Sequence, residues 1–230
     1  MGQQKKNLRK ELNQAYKLMR QRFGHQHWWP GENEFEICIG AILTQNTAWS
    51  NVEKAFNNLR NAKVLTPQKL YNLPLEKLAL LIKPAGYYNV KARRLRNFLE
   101  VLVKDFSGDL EEMLSGDLNV VRNRLLAIKG IGNETADSML LYAGRHLSFV
   151  IDAYTKRIFY RHDWCDIDAD YEDLKGLCEQ LLKADTSTDL LDYWQDYHAQ
   201  LVMVGKNFCK SRVPECENCP LGSLLPEKKK

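Results

Sequence analysis

Apolar residues recur at helical spacing along most of this chain, and no useful length alternates between apolar and polar residues. The spacing predicts helices over residues 8–23, 49–59, 89–106, 119–128, 134–142, 153–160, 171–183 and 189–204. Thr66-Pro67 predicts one more helix start, since proline is favoured at the first helical position. These patterns predict an all-α fold.

Charge and apolar runs limit the classes of partner. The 230 residues carry a net charge of only +4, so a nucleic-acid surface has to come from local clustering. The longest apolar runs are too short to span a bilayer, and the polar N-terminus is not followed by a signal-peptide core. We therefore expect no membrane association and a cytoplasmic location.

A Gly130-Ile131-Gly132 turn joins two of the predicted helices. Glycines permit a tight backbone reversal and leave no side chain between the main chain and a ligand. The helix that opens at Asn133 would present free N–H groups to the same space, which suits a phosphate oxygen. A DNA backbone could dock there without its sequence being read. The alternative is an ordinary connector between helices, because Gly-x-Gly is a weak signal by itself.

Five segments, in order along nearly the whole chain, resemble the helix-hairpin-helix (HhH-GPD) DNA glycosylase superfamily of endonuclease III-like proteins. They are residues 40–47, 84–92, 128–136 and 152–157 and the group Cys209, Cys216 and Cys219. Trp28-Trp29-Pro30, the segment 43–47 and the segment 129–137 are similar to the branch of type III 3-methyladenine DNA glycosylases.

This resemblance implies a two-domain helical fold of the endonuclease III type. A six-helix barrel with the hairpin would span residues 36–146, and residues 1–35 and 147–230 would form a second helical domain with a C-terminal cysteine loop. The lesion pocket is expected between the domains, with Asp152 at its mouth. The expected partner is double-stranded DNA with a damaged base, bound by a monomer located at the nucleoid.

The resemblance assigns the catalytic role to Asp152. Breaking an N-glycosidic bond builds positive charge on the sugar, which a carboxylate can stabilise while it orients or deprotonates water. Without the resemblance, an aspartate ahead of Ala153-Tyr154-Thr155 is more typical of a helix N-cap. Glycosylases that also cut the strand carry a lysine in the hairpin, and the matching residue here is Glu134. The expected enzyme is therefore monofunctional and releases the base with water.

Further site residues follow from the same resemblance. Trp28 and Trp29 are expected lesion contacts, because a cationic alkylated purine is attracted to an indole face; the alternative is a hydrophobic clamp. Gln45 would fill the gap left by the flipped nucleotide, or else make a loop contact. Glu134 is placed beside the base, although a helix-start role is the simpler interpretation. The predicted contacts to the DNA backbone are Lys129, Gly130, Ile131, Gly132 and Thr135.

The three terminal cysteines repeat the first three positions of the family's iron–sulfur loop, and the fourth position is Leu225. Cys209, Cys216 and Cys219 are therefore candidate metal ligands for a 4Fe–4S cluster. A cluster with a non-cysteine fourth ligand, a zinc site with another donor, and a loop that has lost its metal all stay open.

Two other functions are compatible with these motifs. One is an endonuclease III-like glycosylase and AP lyase that acts on oxidised or mismatched bases. The other is a non-catalytic helix-hairpin-helix module that binds DNA. We expect a glycosylase that removes an alkylated purine such as 3-methyladenine, because Asp152 and Gln45 occur together.

Overall fold

The computed structural model describes residues 3–29, 31–183 and 189–227, and these residues form helices and loops without a strand. The predicted all-α fold is confirmed. The remaining residues of the predicted domain ranges, 1, 2, 30, 184–188 and 228–230, lie outside the described part. The α-helices are α1 (Gln3–Phe23), α2 (Glu34–Leu43), α3 (Trp49–Asn61), α4 (Pro67–Asn72), α5 (Leu75–Leu81), α6 (Tyr88–Phe106), α7 (Leu110–Leu114), α8 (Leu118–Leu126), α9 (Asn133–Ser138), α10 (Ala153–Arg161), α11 (Tyr171–Leu181) and α12 (Leu190–Asn207).

The helical pattern did not predict three helices, α2, α5 and α7. Helix α2 is buried along most of its length, so it lacks the polar face from which a period is read. Helices α5 and α7 are only 7 and 5 residues long, too short to show a period. The helix predicted over 134–142 also changes type, because α9 ends at Ser138 and a π-helix, Met139–Ala143, continues it.

The chain divides into two compact units. One unit is Trp29–His146, which contains α2 to α9 and the π-helix. Its apolar core draws residues from α2 to α9 and from the π-helix, with Ile39, Leu43, Phe56, Leu95 and Phe98 almost fully buried. Helix α6 packs against α2, α4, α5 and α7, so it serves as the central support of this unit.

Lys91 on α6 joins three segments inside that unit although it is only 1% exposed. Its Nζ donates hydrogen bonds to the carbonyl oxygens of Leu43 and Ala85, each at 2.8 Å, and to Thr47 Oγ1 at 2.6 Å. Thr47 Oγ1 in turn donates to the Ala85 carbonyl at 2.5 Å, so Lys91 completes a hydrogen-bond network among carbonyls that lie at helix ends. Burial, followed by the charge of Arg94, lowers the pKa of Lys91 to about 8.

The other unit is Met1–Trp28 with Leu147–Lys230, and it contains α1 and α10 to α12. The fully buried carboxylate of Asp196 on α12 accepts from Tyr16 Oη at 2.7 Å and from the backbone N–H of Gln26 at 2.8 Å. The rings of Tyr16 and Tyr197 stack with their centroids 5.3 Å apart. These contacts attach the N-terminal helix to the C-terminal one.

Within the described residues, no helix combines the length and the apolar character needed to cross a bilayer.

Candidate functional site

The hairpin turn uses its two glycines for different purposes. Gly130 has φ +103°, and an added Cβ would overlap the Arg94 side chain, so the turn itself requires glycine. Gly132 is extended, with φ −102° and ψ −180°, and is the N-cap of α9. No atom lies within 4 Å of where its Cβ would stand. Gly132 is therefore not needed for the turn, but it leaves the start of α9 open to a ligand.

Hydrogen bonds from two other segments hold the hairpin. Gln45, in the loop after α2, donates from Nε2 to the Gly130 carbonyl at 3.2 Å and to Thr135 Oγ1 at 2.9 Å. Arg94 on α6 donates to Gln45 Oε1. Asn97, one turn along α6, donates to the Lys129 carbonyl at 2.8 Å. The structure thus brings Gln45, Gly130 and Thr135 together, and it adds Arg94 and Asn97 as side chains that hold the hairpin.

A buried ion pair joins the helices on either side of the turn. Arg122 on α8 contacts Asp137 on α9 in a bidentate manner, with Nε–Oδ1 2.9 Å and Nη2–Oδ2 3.1 Å. The Asp137 side chain is fully buried and that of Arg122 is 16% exposed. Such a paired contact fixes the angle between the helices, because two parallel hydrogen bonds restrict rotation.

The other predicted hairpin residues differ in exposure. Lys129 and Glu134 are exposed, and Glu134 lies in the first turn of α9. The side chains of Ile131 and Thr135 are only 5% and 6% exposed, so any DNA contact there has to come from the main chain.

Most of the basic residues on α6 and α8 are used inside the protein. Arg94 and Arg122 make the contacts described above, and Lys91 is buried. Arg96 donates to the Leu73 carbonyl and lies over the Tyr71 ring, while Arg124 donates to the Met113 carbonyl and lies over the Phe106 ring. Arg93 is exposed.

Trp29 belongs to an aromatic cluster in its unit. Its ring meets Trp49 edge-on at 5.7 Å and Tyr142 at 5.3 Å between centroids. A Cβ at position 40 would lie 3.3 Å from Trp29 Nε1, so Gly40 makes room for the indole. Trp29 and Trp28 are both partly buried, and the division between the two units falls between them.

Asp152 is the N-cap of α10. Its Oδ1 accepts the backbone N–H of Thr155 at 2.7 Å, as the local sequence predicts. Its Oδ2 lies 3.8 Å from Nε2 of His198 on α12, and the Asp152 side chain is 12% exposed. Capping therefore engages one carboxylate oxygen, and the other faces an imidazole that no motif singled out.

His198 is 3% exposed. Burial lowers its pKa below the ordinary histidine value, and the Asp152 charge acts in the opposite direction. The imidazole behind the carboxylate is therefore biased toward the neutral form.

One small cavity is lined by the three terminal cysteines, by Leu225 and by residues at the end of α10. Its lining consists of Arg161, His162, Phe208, Cys209, Cys216, Cys219 and Leu225. Cys209, Cys216 and Cys219 are not joined in disulfides, and burial raises the pKa of Cys219 to about 11. Among residues 3–29, 31–183 and 189–227, no three His, Cys, Asp or Glu side chains are grouped so that they could hold a metal ion.

Comparison with known proteins places this geometry in a family. The chain is 43% identical over 219 residues to a protein of Methanocaldococcus jannaschii whose name assigns it provisionally to the DNA repair glycosylases, covering 94% of this chain and 96% of that one. The structure of the present chain matches that of a non-covalent endonuclease III–DNA complex with a TM-score of 0.81 at 23% identity, and the match covers 96% of each chain.

A second solved structure is the 3-methyladenine DNA glycosylase (MagIII) of H. pylori bound to 1,N6-ethenoadenine. The match has a TM-score of 0.75 at 28% identity and covers 86% of this chain and 97% of that one. The family model for HhH-GPD superfamily base excision DNA repair proteins matches residues 39–184, which include the hairpin and Asp152. By these matches and by its hairpin, the chain belongs to the HhH-GPD superfamily of base excision DNA repair glycosylases.

Proposed function

We propose that this glycosylase is monofunctional and hydrolyses the bond between deoxyribose and an alkylated purine such as 3-methyladenine in duplex DNA. The observation that carries the proposal is the Asp152 carboxylate, which caps α10 with one oxygen and keeps the other outside the cap. The similarity to the 3-methyladenine glycosylase bound to ethenoadenine supports the choice of substrate class.

Asp152 would act on the sugar and on water. An alkylated purine is cationic, so its bond to C1′ breaks with little protonation of the leaving base. The electron pair of that bond goes to the base, and the Asp152 carboxylate stabilises the positive charge left on the sugar. Water then adds to C1′ and gives up a proton, which the carboxylate would accept.

The absence of an amine at position 134 supports hydrolysis rather than strand cleavage. Glu134 stands where strand-cutting relatives carry a lysine, and a carboxylate cannot form a Schiff base. Lys91 has a lowered pKa, as a nucleophilic lysine would, but its amine is buried and donates to two carbonyls and a hydroxyl. Lys129 lies on the other side of the turn, where a phosphate contact is the simpler role.

The damaged base is proposed to meet the tryptophans and Gln45. A flipped base costs a few kcal/mol of lost stacking, which aromatic contacts can offset. A cationic purine on an indole gains about 0.5–2 kcal/mol. Trp29 is held by Trp49 and Tyr142, so its ring needs little further ordering. Gln45 would have to exchange its bonds to the hairpin for contacts to the opposite strand.

The DNA backbone is proposed to dock on the hairpin. The open main chain at Gly132 and the start of α9 offer N–H donors to a phosphate, and the exposed Lys129 adds positive charge.

A 4Fe–4S cluster is proposed at Cys209, Cys216 and Cys219. The three thiols line one small cavity, but Leu225 supplies no donor atom there, and no three His, Cys, Asp or Glu side chains of the described residues are grouped so that they could hold a metal ion. When bound, the cluster would cross-link the end of α12 to the C-terminal loop.

The experiment that tests the function compares Asp152→Asn with Asp170→Asn. Both residues cap a helix, since Asp170 Oδ1 accepts the Asp173 N–H at 2.7 Å, and asparagine caps about as well as aspartate. We expect Asp152→Asn to reduce release of free 3-methyladenine from methylated DNA by about 10²- to 10⁴-fold. Asp170→Asn should leave release unchanged, and DNA binding should persist in both variants.

Near-normal release by Asp152→Asn would refute the catalytic assignment. Borohydride treatment during turnover tests the second part of the proposal. We expect no trapped protein–DNA adduct with the natural protein, and a trapped adduct would show that an amine attacks the sugar.

A further inference from the structure

Helix α11 fixes the main chain that leads to Asp152. The four residues before Asp152 are buried and belong to no helix, so their backbone N–H groups need partners from elsewhere in the chain. Glu179 on α11 accepts the N–H of Phe149 at 2.9 Å. The Tyr171 hydroxyl, on the same helix, accepts the N–H of Ile151 at 3.4 Å. The backbone position of the catalytic candidate is therefore set by contacts outside its own helix.

Helix α12 approaches the same carboxylate. Helix α10, which begins directly after Asp152, packs along α12. A Cβ at Gly205 of α12 would overlap the Tyr154 ring, so this glycine lets the two helices come close together. Arg157 on α10 donates from Nε to the Cys209 carbonyl at 2.7 Å, just beyond the end of α12. This packing fixes the start of α10 relative to the side chains of α12.

His198 is the α12 side chain that faces the carboxylate. Its Nε2 lies 3.8 Å from Asp152 Oδ2, which is about 0.6 Å beyond the usual limit of an N–H···O hydrogen bond. Its ring is perpendicular to that of Phe149, with centroids 6.4 Å apart, and so its direction is set by packing. Hydrogen bonds around a catalytic group are often long without substrate and tighten in the reacting complex.

A neutral imidazole suits this position. Burial lowers the pKa of His198, and the Asp152 charge acts in the opposite direction with the smaller effect. A neutral ring carries a single N–H, which can point at the carboxylate when the proton is on Nε2. Such a donor orients the carboxylate without cancelling its negative charge, whereas an imidazolium would offset that charge. The full negative charge is what stabilises a cation on the sugar.

We propose that His198 is a positioning residue for base release: as a neutral imidazole protonated on Nε2, it donates to Asp152 Oδ2 and holds the carboxylate in one orientation. This inference rests on the proposed catalytic role of Asp152. Oδ1 already accepts the Thr155 N–H, so a donor on Oδ2 as well restricts rotation of the carboxylate. Each carboxylate oxygen has two acceptor sites, so Oδ2 can still accept a proton from water.

The first test uses the natural protein labelled with 15N-histidine. Proton–nitrogen correlation spectra of the side chains identify the protonation state and tautomer of each ring, and the His198→Gln spectrum identifies the signals of His198. We expect a neutral ring at neutral pH with its proton on Nε2. A charged ring, or a neutral ring protonated on Nδ1, would overturn the proposal. This readout requires no activity.

The second test compares His198→Phe with His198→Gln. Phenylalanine keeps an aromatic ring against Phe149 but has no donor, whereas the glutamine amide nitrogen can reach the place of Nε2. We expect His198→Phe to lower kcat for release of 3-methyladenine by about 10- to 100-fold, the loss typical of a hydrogen bond to a charged group. KM should stay unchanged. His198→Gln should recover most of kcat, while a residue needed only for packing would tolerate phenylalanine better.

His25 supplies the matched control. Its Nε2 lies 3.1 Å from both carboxylate oxygens of Asp192, a second histidine–aspartate pair in the same unit. We expect His25→Phe to leave kcat unchanged. In the Asp152→Asn background, His198→Phe should lower kcat less than it does in the natural protein, because its effect passes through that carboxylate.

A natural kcat in His198→Phe, an equal loss in His198→Phe and His198→Gln, or the same loss with and without the Asp152 carboxylate would overturn the role of His198 alone. The glycosylase proposal would survive each of these results. Near-normal base release by Asp152→Asn would instead remove the proposed function, and with it the carboxylate that His198 is proposed to orient.

Discussion

At the scale of single residues, the two carboxylate oxygens of Asp152 make different contacts. As an N-cap, its Oδ1 binds the Thr155 N–H, and the helix dipole favours a negative charge at that end. Its Oδ2 faces His198, a buried imidazole that is biased toward neutrality. The carboxylate is thus fixed in direction without a cation paired tightly against it.

His198 predicts a pH effect on folding. Because burial lowers its folded pKa below the unfolded value of about 6.5, the unfolded chain binds more protons as the pH falls, and stability is lost. We expect the stability difference between the natural protein and His198→Gln to shrink from pH 7 to pH 5, measured by urea unfolding. A difference that widens toward low pH would mean that Asp152 stabilises the imidazolium in the fold.

At the scale of elements, the hairpin is a turn held in place by its neighbours. Gln45 and Asn97 bind its carbonyls, and the Arg122–Asp137 pair fixes the two helices. The turn itself depends on one glycine, whereas the other glycine only leaves space.

We therefore expect the replacement of glycine by alanine to have different effects at positions 130 and 132. We expect Gly130→Ala to destabilise the protein by about 1–2 kcal/mol or more, because alanine is strained at positive φ and its Cβ meets Arg94. Gly132→Ala should destabilise the protein less, because only the N-cap preference for glycine over alanine is lost, and it should weaken binding to duplex DNA. Urea unfolding and DNA titration measure the two effects, and a Gly132→Ala variant with normal affinity would argue against docking at that backbone.

At the scale of the whole molecule, fewer basic side chains are available to contact DNA phosphates than the number of lysines and arginines suggests. Of the seven basic residues on α6 and α8, six have contacts within the protein, namely Lys91, Arg94, Arg96, Lys104, Arg122 and Arg124. The net charge is only +4, so affinity for DNA has to depend on few phosphate contacts and on the hairpin main chain.

Replacing Lys129 with alanine tests whether this exposed lysine contacts a DNA phosphate, and Arg124→Ala serves as the control. We expect Lys129→Ala to reduce the slope of log affinity against log salt by about 1, as the loss of one phosphate contact requires. Arg124 donates to the Met113 carbonyl and covers the Phe106 ring, so Arg124→Ala should lower stability and keep the slope. An unchanged slope in Lys129→Ala would place the phosphate contacts elsewhere.

The sequence by itself determined the features that depend on neighbours along the chain. Helical period, the Gly130 turn and the Asp152 cap are local, so they could be predicted, and the ordered motifs gave the family. Only the tertiary structure decided which distant side chains meet. Gln45 binds Gly130 across 85 residues, and His162 joins a cysteine cavity near the C-terminus. Packing brings such pairs together, and no local period or spacing carries that information.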